Sequence, residues 1–214
     1  MIGFIIKDIL ANKKYLYITC GVTFFYIIYG SMMDDFNFFF SFLMIFGVMF
    51  ILSTFSYDDM AGWDMYALTM PALKNKIIMA KYMLSLIFIL FSGALVLALN
   101  VLASFIKDTS ITKETMITLW IYICIALLFN SIQIPLIIKF GAEKGRFIIL
   151  AIFFTFTLSI MAMEKYSQMQ TIKNIFSNFE THSDTLLILS PLFMFLILLI
   201  SIKFSTHIYS NKEY

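Results

Sequence analysis

The sequence predicts an all-α polytopic membrane protein with six transmembrane helices, and its composition and charge patterning are the basis of that prediction. The 214 residues are 61% hydrophobic and 13% charged, whereas a soluble domain carries about a quarter charged residues. Aromatic residues make up 18% of the chain, which excludes a disordered polymer. The net charge of +2 is too small for a nucleic-acid-binding surface, so the expected partner is the lipid bilayer and not nucleic acid.

Six stretches without charged residues approach or exceed the length of about 20 residues that a helix needs to cross a bilayer. These predicted spans are residues 15–33, 36–57, 82–106, 115–138, 147–163 and 185–202. No linker or break in composition separates them, so residues 1–214 are predicted to form a single transmembrane domain.

The segment before the first span, residues 1–14, is predicted to be a helix lying in the membrane interface. Its charged residues Lys7 and Asp8 lie off the apolar face. That face consists of Ile2, Ile5, Ile6, Ile9 and Leu10.

The distribution of lysine and arginine predicts the orientation of the spans. With six spans, the termini and the even-numbered connections share one side, which carries 11 basic residues against four on the other. Both termini are therefore predicted to be cytosolic. Fourteen of the 15 basic residues are lysines, which is typical of an AT-rich genome and favours a bacterial cell membrane as the location.

The predicted spans contain no ionisable acid, base or histidine, which argues against a carrier driven by protons or sodium. They also lack HExxH, GxSxG and paired carboxylates, so no catalytic residue and no metal site are predicted. The chain has no GxxxxGK[ST] loop for ATP, and the sequence from Gly141 to Arg146 has the wrong spacing. Energy for pumping is therefore expected to come from a docked partner.

The densest polar patch within a span consists of Asn130, Ser131 and Gln133. Pro135 follows it and frees a backbone carbonyl at about residue 131. The patch has two interpretations, a candidate cargo path and polar contacts that pack helices together. Small residues such as Gly47 are expected to permit close approach of helices.

The connection after the second span, residues 58–81, is too polar to cross the membrane and too apolar for a solvent-exposed loop that makes no contacts. Asp58 and Asp59 suit a helix amino terminus, and Pro71 would end that helix. Its apolar stripe either fits a groove on a soluble partner or lies on lipid headgroups. The stripe consists of Met60, Trp63, Ala67 and Met70.

At these residues the chain resembles a family, the short permease subunits of ABC type-2 exporters. It is especially similar to small bacterial permeases of the kind that export phenol-soluble modulins and other amphipathic peptides. The resemblance extends over the six-span layout and is carried by the amino segment and the connection after the second span. The motifs are Lys7-Asp8, Asn12-Lys13-Lys14, Tyr57-Asp58-Asp59, Gly62-Trp63, Tyr66, Leu68, Met70-Pro71, Lys74, Lys76 and Lys81-Tyr82.

The resemblance implies an amino-terminal elbow helix and a cytosolic coupling helix docked on a separate nucleotide-binding ATPase subunit, which binds ATP and Mg. It also implies a second permease, either a second copy of this chain or a related subunit. The implied coupling residues are Asp58, Asp59, Trp63, Tyr66 and Pro71.

The function expected from these observations is that of a permease subunit of an ATP-driven exporter, without an ATP-binding motif of its own. A hydrophobic or amphipathic cargo, peptide above all, is expected from the neutral spans rich in Phe and Met together with the resemblance. Two alternatives stay open. One is a membrane immunity protein that sequesters a toxic peptide without transporting it, and the other is a lipid-modifying enzyme that uses Asp58, Asp59 or Glu164.

Overall fold

The structure, a computed structural model, describes residues 2–32, 37–69, 74–107, 113–165 and 183–211. Within these ranges all regular secondary structure is α-helical, which confirms the predicted fold class for this part of the chain. The helices are α1 (Ile2–Ala11), α2 (Lys13–Met32), α3 (Asn37–Met60), α4 (Trp63–Thr69), α5 (Lys74–Lys107), α6 (Lys113–Phe140), α7 (Ala142–Lys165) and α8 (Ser183–Ser210).

Three of the helices in the described ranges are long and apolar enough to cross a membrane, by length and composition. These segments are Lys74–Leu102 in α5, Lys113–Phe140 in α6 and Leu189–Ser210 in α8. Helices α2, α3 and α7 overlap the first, second and fifth predicted spans, for which membrane crossing stays a prediction.

Several helices extend beyond the uncharged windows that predicted them. Helix α5 begins at Lys74, well before residue 82, and α8 continues past residue 202 to Ser210. A helix can cross the hydrocarbon and continue into water without a change of backbone geometry, so charged residues mark the end of the apolar layer and not the end of the helix.

Helix α6 lies at the centre of the bundle and contacts α3, α5, α7 and α8. Helices α3 and α5 pack against each other, and the rings of Phe50 and Phe88 stack between them with centroids 3.6 Å apart. Gly47 permits this approach, because a Cβ atom there would lie 2.8 Å from Ser92 Oγ. The expectation that Gly47 allows close helix packing is confirmed.

A chain of hydroxyl groups joins α5, α6 and α8. Because Pro135 has no N–H, the carbonyl of Ser131 lacks its helical donor, and Ser201 Oγ donates to it over 2.6 Å. The Tyr82 hydroxyl therefore donates to Ser201, and Ser205 donates to Tyr82 over 2.8 Å. The prediction of a free carbonyl at residue 131 is confirmed, and a side chain of α8 satisfies it.

Helices α6 and α7 form a tight hairpin with Gly141 as the only residue between them. Gly141 has φ +82°, a left-handed conformation that glycine adopts without strain, and its N–H donates to Ile137 O over 2.8 Å. A Cβ atom on Gly145 would lie 3.1 Å from Ile137 Cγ1 and 3.3 Å from Ile137 Cα. The hairpin therefore depends on a small residue at position 145.

Candidate functional site

Asp58 and Asp59 lie in the last turn of α3 and do not begin the helix of the second connection, so the expectation that they do is wrong. Helix α3 ends at Met60, Gly62 has φ +61°, and α4 begins at Trp63. Carboxylates are unfavourable at a helix carboxyl end, where the dipole is negative. Both aspartates are stabilised instead by groups from other helices.

Asp58 belongs to an ion quartet, which we define as Lys7, Asp8, Asp58 and Lys81, and all of its members except the partly exposed Lys7 are buried. Lys7 Nζ lies 2.6 Å from Asp58 Oδ1 and 3.0 Å from Asp8 Oδ1. Lys81 Nζ lies 2.6 Å from Asp58 Oδ2 and 2.9 Å from Asp8 Oδ2. Each lysine thus binds both aspartates, the charges balance, and the quartet joins α1, α3 and α5.

Helix α1 turns its charged residues towards the protein. Asp8 is buried, whereas Ile2, Ile6 and Leu10 form an exposed apolar stripe on the opposite side. The junction with α2 is fixed by Asn12, whose Nδ2 donates to Asp8 O over 2.8 Å and whose Oδ1 accepts from Ser53 Oγ over 2.5 Å. The exposed stripe suits a helix that rests in an apolar layer and directs its charges inward.

Helix α4 sits directly on the quartet. Lys7 Nζ lies 4.0 Å from the centroid of the Trp63 ring, a cation–π contact. Ala67 is buried against the protein, so Trp63 and Ala67 do not face outward as the stripe interpretation requires. The outward side of this segment carries Met60, Met65 and Tyr66, each of which is exposed.

Asp59 connects the same segment to the hairpin of α6 and α7. Its Oδ2 accepts from the backbone N–H of Ala142 over 2.6 Å, so it caps the amino end of α7 from a different helix. Arg146, one turn further along α7, donates to Ser56 of α3. The carboxyl end of α3 is therefore bound to α1, α5 and α7 at once.

These contacts gather several helix ends at one end of the bundle, which we call the basic end. Lys74 at the start of α5 donates to the Ser210 carbonyl at the end of α8 over 3.1 Å. Lys81, Lys139, Lys144 and Arg146 lie on the helix ends that meet there. The bundle thus places the basic connections predicted for one side of the membrane at one end.

Pro71, the remaining implied coupling residue, lies outside the described residues. The implied coupling residues within them have different surroundings. Asp58 and Trp63 bind the protein's own side chains, Asp59 caps α7, and Tyr66 is exposed.

The three residues of the predicted polar patch on α6, which are Asn130, Ser131 and Gln133, are all buried in the bundle. Ser131 Oγ donates to Leu127 O over 2.8 Å. Asn130 and Gln133 are each 1% exposed, and none of their four side-chain amide atoms has a hydrogen-bond partner within the described residues. A buried polar group without a partner destabilises by about 1–3 kcal/mol, so the pair is a costly feature of this conformation.

The sequence does not predict that three members of the ion quartet, Lys7, Asp8 and Lys81, belong to the site. Each flanks a predicted span, where a charged residue is ordinarily solvated. Lys7 and Asp58 are 51 positions apart in the sequence. The segments beside these span ends carry six lysines and four aspartates, and that mixture does not determine which residues pair.

The apolar helices and the gathered basic connections define a multi-pass membrane protein. The chain matches the family described as ABC-2 family transporter protein over residues 3–210, nearly its whole length. It belongs to that family and is a membrane transporter subunit, a permease that works with an ATPase subunit. No curated protein and no solved structure matches the chain.

Proposed function

We propose that this chain forms the membrane-spanning half of an ATP-driven exporter, with six spans and both termini in the cytosol of a bacterial cell. Its ATPase partner binds ATP and Mg, and a second permease, identical or related, completes the assembly. The clustering of basic connections at one end of the bundle supports this orientation, because positive loops stay on the cytosolic side.

The observation that carries the proposal is the placement of α4. It is anchored to the basic end through Trp63 on Lys7, and it presents Met65 and Tyr66 outward. Exposed Met and Tyr side chains on a fixed short helix suit docking in a groove of a soluble subunit. In this proposal α4 is the coupling helix, and Tyr66 is its principal contact with the ATPase.

Asp58 and Asp59 act in the proposal by transmitting movement and do not touch the ATPase themselves. Asp58 holds the end of α3 to α1 and α5 through the ion quartet. Asp59 holds it to the amino end of α7. Displacement of α4 by the ATPase would therefore move α1, α5 and α7 together, because buried ion pairs and a helix cap resist separation.

Helix α1 acts in the proposal as the elbow helix. Its exposed stripe of Ile2, Ile6 and Leu10 rests in the lipid interface, while Lys7 and Asp8 face the bundle. An elbow held by lipid on one side and by the quartet on the other links the moving ends of α3 and α5 to the membrane interface.

The proposed cargo is hydrophobic or amphipathic, with amphipathic peptides as the first class to test. An apolar cleft of about 320 Å³ between α2, α3 and α5 supports this proposal. It is lined largely by aromatic and aliphatic side chains, and the hydroxyls in its wall donate to backbone carbonyls, so the cleft suits an apolar surface. Its lining includes Tyr15, Thr19, Phe46, Phe88, Phe91 and Ser92.

The test is co-purification of the cognate ATPase with variants of the outward face of α4. Met65→Asp and Tyr66→Asp should reduce recovery of the ATPase by about tenfold or more, the effect of removing a central interface residue. Asn75→Asp is the control, because it adds the same charge at an exposed position at the start of α5 and not on α4.

Two results would contradict the proposal. The first is full recovery of the ATPase, with ATP-dependent transport, from both aspartate variants. The second is protection of cells against a toxic peptide by the permease alone, which would favour the immunity function.

A further inference from the structure

The amides of Asn130 and Gln133 are buried at the centre of the bundle without hydrogen-bond partners. The residues are three apart on α6, so their side chains share one side of the helix. Their four polar atoms have no partner among the described residues, and each residue is almost wholly inaccessible. This arrangement is unfavourable in a helical bundle in lipid, because no bulk water is present to form hydrogen bonds with the amides.

The nearby hydroxyls do not satisfy these amides, because they donate elsewhere. Ser131 donates to Leu127 O, and Ser201 donates to Ser131 O. The contrast with Asn12 is direct, since Asn12 is equally buried and bonds through both its nitrogen and its oxygen. In this conformation, apolar side chains at positions 130 and 133 would suit the surroundings better than amides.

We infer that Asn130 and Gln133 form a hydration site that opens to water in a second conformation of the bundle. Water both donates and accepts hydrogen bonds, so it matches the complete donor and acceptor set of two carboxamides. The amides would then have partners in one conformation and none in the other, which biases the equilibrium between the two. The inference rests on the proposed function, because the ATPase drives the change.

The backbone of α6 can bend close to the two amides. Pro135 interrupts the helical hydrogen bonds of α6 beside this site, and a proline in a helix interior is an established point of bending. The segment of α6 beyond Pro135 leads through Gly141 into α7, whose amino end is capped by Asp59. A displacement of the α3 end would therefore be delivered to the part of α6 next to the two amides.

The first experiment measures access of water to the site in the permease assembled with its ATPase. Gln133→Cys and Asn130→Cys are placed in a background with Cys20→Ala and Cys124→Ala and are treated with a charged, membrane-impermeant maleimide. The labelling rate of each cysteine is compared between the nucleotide-free assembly and the assembly trapped with ADP-vanadate. Both cysteines should react about tenfold or more faster in one of these states, as expected when a minor conformer becomes the major one. Ile89→Cys, which is equally buried but lies on α5, is the control and should stay unreactive.

A second experiment needs no ATPase. Asn130→Leu and Gln133→Met should leave the melting temperature of the purified permease unchanged or raise it, because each removes unpartnered polar atoms. Asn12→Leu should lower it by about 2–4 °C or more, because it removes satisfied bonds in a chain of this size.

Met65→Cys on α4 reports docking of the ATPase, because a docked subunit should protect this cysteine from the maleimide. It therefore separates failure of the inference from failure of the proposed function. Protection of Met65→Cys by the ATPase, together with equal and slow labelling at positions 130 and 133 in both states, would overturn the inference alone. Absence of that protection would overturn the proposed function, and the melting temperatures would then decide the inference. Loss of stability in Asn130→Leu and Gln133→Met equal to that in Asn12→Leu would overturn it.

Discussion

Lys81 Nζ lies 2.6 Å from Asp58 Oδ2, and both side chains are buried where α5 meets the end of α3. The remaining carboxylate oxygen of Asp58 binds Lys7, so the charge of this aspartate is fully engaged inside the protein. Asp58, which the sequence marks as a partner contact, is therefore an internal support for the end of α3.

Removal of one lysine from the quartet should destabilise the permease strongly. Lys81→Met leaves Asp8 and Asp58 with Lys7 alone, and breaking a buried ion pair costs about 3–5 kcal/mol. Thermal unfolding in detergent measures this loss. The double variant Lys81→Met with Asp8→Asn restores charge balance and should regain much of the lost stability, and a double variant no more stable than Lys81→Met would contradict the assignment.

The cap on α7 should respond to removal of the Asp59 carboxylate. Asp59→Ala removes the acceptor for the Ala142 N–H and should cost about 1 kcal/mol, whereas Asp59→Asn retains an acceptor and should cost little. Hydrogen exchange at Ala142 checks this directly. Equal protection of that amide in the alanine variant and the parent protein would show that the cap does not stabilise α7.

Two glycines should respond to alanine in opposite directions. Gly21→Ala meets nothing within 4 Å and should stabilise α2 by about 0.5–1 kcal/mol through improved helix propensity. Gly145→Ala places its Cβ atom 3.3 Å from Ile137 Cα, a backbone atom that cannot move without opening the α6–α7 hairpin. We expect the melting temperature to rise for Gly21→Ala and to fall for Gly145→Ala, and an equal rise in both would contradict the hairpin packing.

Ser201 and Pro135 should be energetically coupled through the Ser131 carbonyl. Ser201→Ala leaves that carbonyl without a donor and should cost about 1–3 kcal/mol. In a Pro135→Ala background the N–H at position 135 supplies the donor, so the same substitution should cost less. A double-mutant cycle of unfolding free energies measures the difference, and strict additivity would show that the serine does not replace the missing helical bond.

The local features of the fold were predictable from the sequence. The apolar windows located the helices, because hydropathy reports directly on the environment of a segment. The free carbonyl at Ser131 followed from a fixed relation between a proline and the residue four positions before it. The role of Gly47 followed from its size, although its partner Ser92 could not be named.

The candidate site was less predictable, because its contacts are long-range. Nothing near Asp58 in the sequence indicates that Lys7 and Lys81 enclose it. Asp59 suits a helix amino terminus, as its residue type suggests, but the helix is α7 and not the one that follows it. The orientation of Trp63 depends on the position of Lys7, which only the packed bundle determines.

Entry of energy from an ATPase through α4 is the step on which the proposed function depends. Its most direct test is accumulation of a fluorescent amphipathic peptide in inverted vesicles that contain the permease and its ATPase, with the parent chain compared with Tyr66→Asp. If energy enters through α4, accumulation should require ATP, persist without an ion gradient and be lost in Tyr66→Asp. Accumulation driven by a proton or sodium gradient in the absence of nucleotide, at equal rates in both proteins, would contradict it.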